Sequence, residues 1–465
     1  MIIPFPDFKK ALLSFFNQHD LAEKKGDVLV NFTYKIKETN FTSLIDSVLT
    51  ENKKVFYFSR PEEDLTFLAF DDALVLKMYR NNKFYSLGDK ISALSENRIT
   101  NFDKISSIKF PVFVGGTKFC SGKNADEWKD FADNDWFIPR FLFYKKNQDY
   151  WFVFNILVKE NYPTEDQVNC LFEPIGRLES KEILLPEDIA GINASISERE
   201  RKEWNELISD ALTKIDEGLF KKVVISRRII AGITNFPLFY HIVVKLQKNY
   251  KNCTSFLYGS GDSVLFGATP EQLLKLRENK LEFDALAGSG ERGDTEEEDN
   301  EIALNLLKDK KNTEEHNHVI KFIKDASSKY VKNFQQFDTG IKKYSNIQHI
   351  YTPITAELNS YEQIYNLVDE IFPTPAICGY PKESSLKYII ENEKFDRGLF
   401  SGIIGFISPG EMDLVIAIRS ALLKNNNLYI YAGCGIVKDS DPISEFEETE
   451  IKMKPILSLF NNESQ

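Results

Sequence analysis

Several side chains in this sequence stand where their neighbours could give them chemistry. Lys222 opens the run Lys-Val-Val-Ile-Ser-Arg at 222–227. The run reads as a strand, and alternation sends Lys222, Val224 and Ser226 to one face. A lysine at a strand edge is ordinarily solvated. Enclosed by an aromatic-rich interior, its ammonium would be desolvated, and desolvation draws a lysine toward the neutral amine of a general base. Glu271 follows the turn Gly267-Ala-Thr-Pro270 and precedes Leu273 and Leu274. It is either a surface glutamate or a carboxyl pressed into an apolar pocket, where it would keep its proton and serve as a general acid.

A second group consists of carboxylates. Glu445 and Glu448 lie three apart in Ser-Glu-Phe-Glu-Glu-Thr-Glu-Ile-Lys (444–452), so on a helix they share a face, with Lys452 one turn beyond Glu448. Glu315 lies in a separate helical stretch. One reading is an ordinary i,i+4 Glu–Lys pair. The other is a hard cation such as Mg²⁺ held by two or three glutamate oxygens. Arg419, in a strand-like run, and the Gly433-Cys-Gly435 segment could form a cationic, glycine-lined wall for a carboxylate; alternatively, Arg419 is a buried ion-pair partner.

Two patterns are set aside. Gly288-Ser-Gly290-Glu-Arg-Gly293 has the spacing of a dinucleotide fingerprint, but five of the next six residues, 294–299, are acidic. A helix start so charged repels a pyrophosphate, so a glycine-rich turn close to a small ligand or another strand is expected instead. His316 and His318 stand two apart and face different sides of a helix, so they cannot share a metal.

The elements that must carry these groups are strand-rich. Residues 1–190 alternate short aromatic and β-branched runs with turn residues, as at 55–60, 65–70, 110–116 and 149–158. A polar connector at 179–201 leads into a helix at 197–217. Strands are expected at 221–230, 253–258, 263–268, 281–287, 346–358, 400–407, 412–423 and 427–432. A long helix is expected over 295–335, shorter ones at 360–370 and 382–392, and a last one at 443–460. Strands cluster rather than alternate with helices, which points to a large antiparallel α+β architecture. The 465 residues carry 58 basic and 70 acidic side chains, a net charge of −12, and 13% aromatics. That composition argues against disorder and against a nucleic-acid binder. Five scattered cysteines without a CxxC argue against disulfides or structural zinc. The N-terminus lacks the pattern of a secretory signal, and the most apolar run, 399–407, is far shorter than a membrane helix requires. A cytoplasmic, monomeric protein with no membrane or nucleic-acid partner is expected.

Taken together and in order, these segments resemble the chorismate-utilising enzymes of the isochorismate synthase type. The resemblance is carried by 222–227, Phe-Gly-Ala-Thr-Pro-Glu-Gln-Leu-Leu at 266–274, Ala-Leu-Ala-Gly-Ser-Gly-Glu-Arg-Gly at 285–293, 311–319, 372–385, 395–406, 417–423 and 431–457. It is strong over 196–460 and weaker over 1–195, and it implies one domain spanning 1–465. The implied fold is α+β, with two antiparallel sheets packed as a sandwich, helices outside and the site in the cleft. The resemblance implies that Lys222 is the base activating water and Glu271 the acid protonating the leaving C4 hydroxyl of chorismate. It implies Mg²⁺ on Glu315 and Glu448, with Glu445 acting through a water. Arg419, Lys452 and the Gly433 backbone would hold carboxylates, and Gly288 and Ser289 would line the same pocket.

Members of the family differ in nucleophile. Aminodeoxychorismate synthases carry a nucleophilic lysine where this chain has Ala287, and anthranilate synthases lack the base lysine that is present here as Lys222. Water is therefore the expected nucleophile and isochorismate the product. Salicylate synthase, which also eliminates pyruvate, and a non-catalytic chorismate-binding subunit are the alternatives. One departure is Phe372, where a histidine usually precedes Pro-Thr-Pro.

Overall fold

The computed structural model describes residues 4–460, apart from 22–23, 25, 52, 82, 103, 106–107, 123–124, 179–197, 234–237 and 345–346. Most of the expected connector at 179–201 thus lies outside the described residues. The helix after it runs Glu198–Asp216, as expected.

Strand period decides how the layers form. One layer runs, neighbour by neighbour, through Val28–Lys35, Asp149–Val158, Asn134–Lys146, Leu65–Met78, Lys54–Arg60, Thr254–Ser260, Ser263–Thr269, Ser420–Lys424, Asn427–Ile436 and Lys222–Gly232, all antiparallel. The other runs through Phe113–Thr117, Ile403–Ser408, Glu411–Ile416, Gln272–Arg277, Lys280–Glu291 and Ile347–Leu358. The two layers are not separate sheets. The strand Asn134–Lys146 pairs with Phe113–Thr117 through its first residues and with Asp149–Val158 through its last, so hydrogen bonding is continuous. Where the shared strands pass from one layer to the other, the register slips between Asp72 and Leu74, opposite Pro139. An inserted residue bends a strand, and a proline cannot donate to the ladder there.

Between the layers lies an aromatic core that includes Phe56, Phe58, Phe67, Tyr258, Phe406 and Tyr431. The alternate residues Val55 and Tyr57 face outward into a second core, as the period of two requires. Helices cover both outer faces. Phe5–Gln18, Phe239–Asn249 and Pro442–Leu457 lie on one, through Phe8, Leu12, Leu246 and Met453. Tyr85–Glu96, Lys310–Ser327 and Ile364–Ile371 lie on the other, through Leu87, Ile320 and Val368. No described helix is long and apolar enough to cross a membrane.

Three expectations for elements near the site are corrected. The single helix expected over 295–335 is two helices, Glu296–Lys308 and Lys310–Ser327, followed by the strand Val331–Gln336. Asp309 breaks them: it adopts extended backbone and accepts a hydrogen bond from the Asn312 N–H at 2.8 Å, capping the second helix. The glycine run is not a turn but the end of the strand Lys280–Glu291, with a register slip between Ala287 and Ser289 and Gly288 at φ +69°. The strand expected over 412–423 is two, Glu411–Ile416 and Ser420–Lys424. Arg419 sits in the break at φ +52° rather than on a strand.

Candidate active site

A cavity of about 350 Å³ opens between the lysine strand, the bulged glycine strand and the C-terminal helix. Lys222, Glu271, Gly288, Glu315, Arg419, Gly433, Glu445, Glu448 and Lys452 all line it. Of the residues expected at the site, only the Ser289 side chain falls outside the described residues. The Ser289 backbone pairs with His349, one step beyond the bulge.

The lysine strand delivers its first residue as alternation demands: Lys222, Val224 and Ser226 all face the cavity. The Lys222 stem lies over Gly435, where a Cβ would stand 2.6 Å from Lys222 Cε, so a larger residue there would push the end of the lysine aside. Lys222 Nζ donates to Glu315 Oε1 at 2.6 Å, with the lysine side chain 16% exposed. Lys222 is thus neither a freely solvated edge lysine nor one enclosed by aromatic side chains alone, but is paired with a carboxylate.

Glu271 meets the opposite condition. Burial of its carboxyl, reinforced by the charge of Asp284, pushes its pKa up to about 7, although Lys222, Lys342 and Lys452 pull the other way. It therefore holds its proton over the range in which an ordinary glutamate has lost it. The Thr269 hydroxyl accepts the Glu271 N–H at 3.2 Å, and the Ile416 N–H donates to the Glu271 carbonyl at 3.0 Å. The backbone that presents the carboxyl is thus fixed on both sides.

Arg419 is not the ion-paired cation of the alternative reading: among the described residues no carboxylate pairs with it. Burial depresses its pKa, but the guanidinium remains a cation in a cavity wall. Its left-handed backbone brings the Arg419 carbonyl against Gly267, where a Cβ would come within 2.6 Å. Lys452 Nζ donates to Glu448 Oε1 at 2.6 Å and to the Gly433 carbonyl at 2.9 Å. The i,i+4 pair expected on the helix does form, and it holds the lysine beside the cavity. The Gly433 carbonyl thereby helps hold that lysine at the cavity wall.

The three carboxylates face one cavity but are not gathered into a cluster: no described group of three or more His, Cys, Asp or Glu side chains is arranged to hold a metal. Glu315 and Glu448 are each held by a lysine. Glu445 fits a cation in two respects. Its Oε2 is buried without a hydrogen-bond partner, and burial together with the neighbouring Glu448 pushes its pKa upward. A bound cation relieves both conditions, and an all-carboxylate donor set suits a hard ion.

His349 escaped the reading of the sequence, where it was one residue of a strand. It lines the cavity, and its Nδ1 lies 3.2 Å from the Gly288 carbonyl. Burial, helped by Arg419, lowers its pKa to about 4, so the ring is neutral near pH 7 and its Nδ1–H donates to that carbonyl. Phe400 and Tyr431, stacked with centroids 5.0 Å apart, form an apolar wall. The signal for His349 was its place opposite the glycine run, which is a matter of strand register rather than of local sequence.

Comparison with known proteins places the chain among relatives of known sequence and fold. The chain is 29% identical over 473 residues to isochorismate synthase MenF of Bacillus subtilis, covering 98% of each. It is 30% identical to the salicylate biosynthesis isochorismate synthase of Pseudomonas aeruginosa, over 85% of this chain and 83% of the relative. The solved structure of MenF, the menaquinone-specific isochorismate synthase of Escherichia coli, shares the fold. Its TM-score is 0.79 over 98% of this chain and 100% of that one, at 19% identity. The family model for chorismate binding enzymes matches residues 14–461, and the chain belongs to that family.

Proposed function

We propose that the protein is an isochorismate synthase, adding water at C2 of chorismate while the C4 hydroxyl leaves and the ring double bonds shift. The observation that carries this reading is the pair Lys222 and Glu271 in one cavity, the second a carboxyl whose proton is retained to about pH 7. Addition at one carbon with departure at another needs a base and an acid at the two places, so that neither free hydroxide nor free hydronium forms. Lys222, as its neutral amine, accepts the proton of the attacking water. Glu271 delivers its proton to the departing C4 oxygen. Arg419 and Lys452 supply positive charge for the two carboxylates of the substrate. Ala287, which lines the cavity, carries no amine that could compete with water.

Glu315 and Glu448 would hold Mg²⁺, with Glu445 engaged through a water. The ion, when bound, supplies positive charge beside the ring carboxylate. His349 and the aromatic wall of Phe400 and Tyr431 orient the ring and limit water within the cavity.

Incubation with chorismate and Mg²⁺, followed by chromatography of the products, tests the reading. Isochorismate without pyruvate is expected. Equimolar salicylate and pyruvate would make it a salicylate synthase, and binding without turnover would make it a binding subunit.

A further inference from the structure

Lys222 stands at the start of an edge strand. On one side Lys222–Gly232 pairs along its length with Asn427–Ile436, but on the other only Lys222 and Val223 find a strand, the short Gly379–Tyr380. An edge left without a partner leaves backbone donors and acceptors unmet. Here four outward-facing groups beside the cavity are all met, none by a regular strand. Ser385 Oγ donates to the Lys222 carbonyl at 3.0 Å, and the Val224 N–H donates to the Cys378 carbonyl at 2.8 Å. Arg397 Nη2 donates to the Val224 carbonyl at 2.8 Å, and Glu393 Oε1 accepts the Ser226 N–H at 2.8 Å.

Glu393 and Arg397 are themselves an ion pair, four residues apart in the irregular segment that follows the helix Lys382–Asn392, with side chains 1% and 2% exposed. Arg397 Nε donates to Glu393 Oε2 at 2.8 Å, and Arg397 Nη1 reaches the Ile377 carbonyl at 2.8 Å. The guanidinium also lies over the Phe119 ring, 4.3 Å from its centroid. One buried pair therefore fastens Val224, Ser226 and Ile377, three cavity residues on two separate segments. Burying two charges is costly, and a well-packed apolar pair often serves stability as well. A pair that spends its hydrogen bonds on the backbone of the lysine strand is suited to fixing position.

We propose that Glu393 and Arg397 are positioning residues that replace the missing neighbour strand and hold Lys222 and the 374–378 segment as one wall. The catalytic part of this inference rests on the isochorismate synthase reading; the clamp itself does not. The test uses the full chain with Glu393→Gln/Arg397→Met, which removes both charges at similar volume, and with Arg397→Lys, which keeps the charge but cannot span two carbonyls. Hydrogen exchange over 222–228 and 374–379 is expected to rise at least about tenfold in the double variant, with exchange over 403–416 unchanged. In both variants kcat is expected to fall about 100-fold, with KM within about threefold, well below the melting temperature. Unchanged exchange in a folded variant overturns the clamp. A kcat within threefold of the original, or a loss confined to KM, overturns the positioning role. If the unaltered protein does not turn over chorismate, the functional reading fails, while the exchange measurement still decides the clamp.

Discussion

At the scale of single residues, the proposed reaction rests on two groups with opposite protonation needs. Glu271 must carry a proton, and burial raises its pKa to about 7. The need for that proton sets the alkaline limb: activity should fall about tenfold per unit as pH climbs well past 7. A pH profile of kcat/KM measures this, and Glu271→Gln should lose about 10²–10⁴ in kcat. The same shift bears on stability. The folded-state pKa lies above the unfolded one, so the stability present below about pH 4.5 is lost as pH rises through about 7. Lys222→Ala should abolish turnover yet leave the fold intact, because the side chain lies at a cavity wall and its one ion-pair partner, Glu315, lines the same cavity. The sequence made both residues legible, since each belongs to a long ordered motif. His349 was not legible, because its placement depends on which strand lies opposite the glycine run.

At the scale of elements, the site depends on a few places where the backbone departs from regular geometry. Gly435 faces the Lys222 stem, and Gly435→Ala places a Cβ within 2.6 Å of Lys222 Cε. The displaced lysine should cost about 10–100-fold in kcat with little loss of melting temperature. The Arg419 kink puts the guanidinium in the wall, so Arg419→Lys, which removes the planar fork, should raise KM for chorismate more than it lowers kcat. Element type was readable from periodicity for the lysine strand and the C-terminal helix. The breaks at Asp309 and Arg419 were not. A long charged stretch runs across Asp309 and an apolar one across Arg419, so neither break stands out, and a cap and a single left-handed residue decide them locally.

At the scale of the whole molecule, the halves cannot be separated. Thr254–Ser260 pairs with Lys54–Arg60, and Ile403–Ser408 pairs with Phe113–Thr117, so the motif-bearing residues build both layers on strands from the first half. A fragment beginning at residue 198 should fail to fold, and the full chain should unfold in one calorimetric transition. The sandwich with outer helices was legible, but its joining into one continuous sheet was not. A register slip opposite a proline leaves no pattern at the level of a single strand. The net charge of −12 also takes on meaning here. It is no obstacle to an anionic substrate, which needs only a local cationic wall, and Arg419 and Lys452 both line the cavity.

The central claim is that water enters at C2 under the control of Lys222 while the original C4 oxygen departs. Turnover of chorismate in ¹⁸O-labelled water, read by mass spectrometry of the product, tests it directly. One ¹⁸O in each isochorismate, with no product from Lys222→Ala, is the predicted result; unlabelled isochorismate, or unchanged turnover without the lysine, would contradict it.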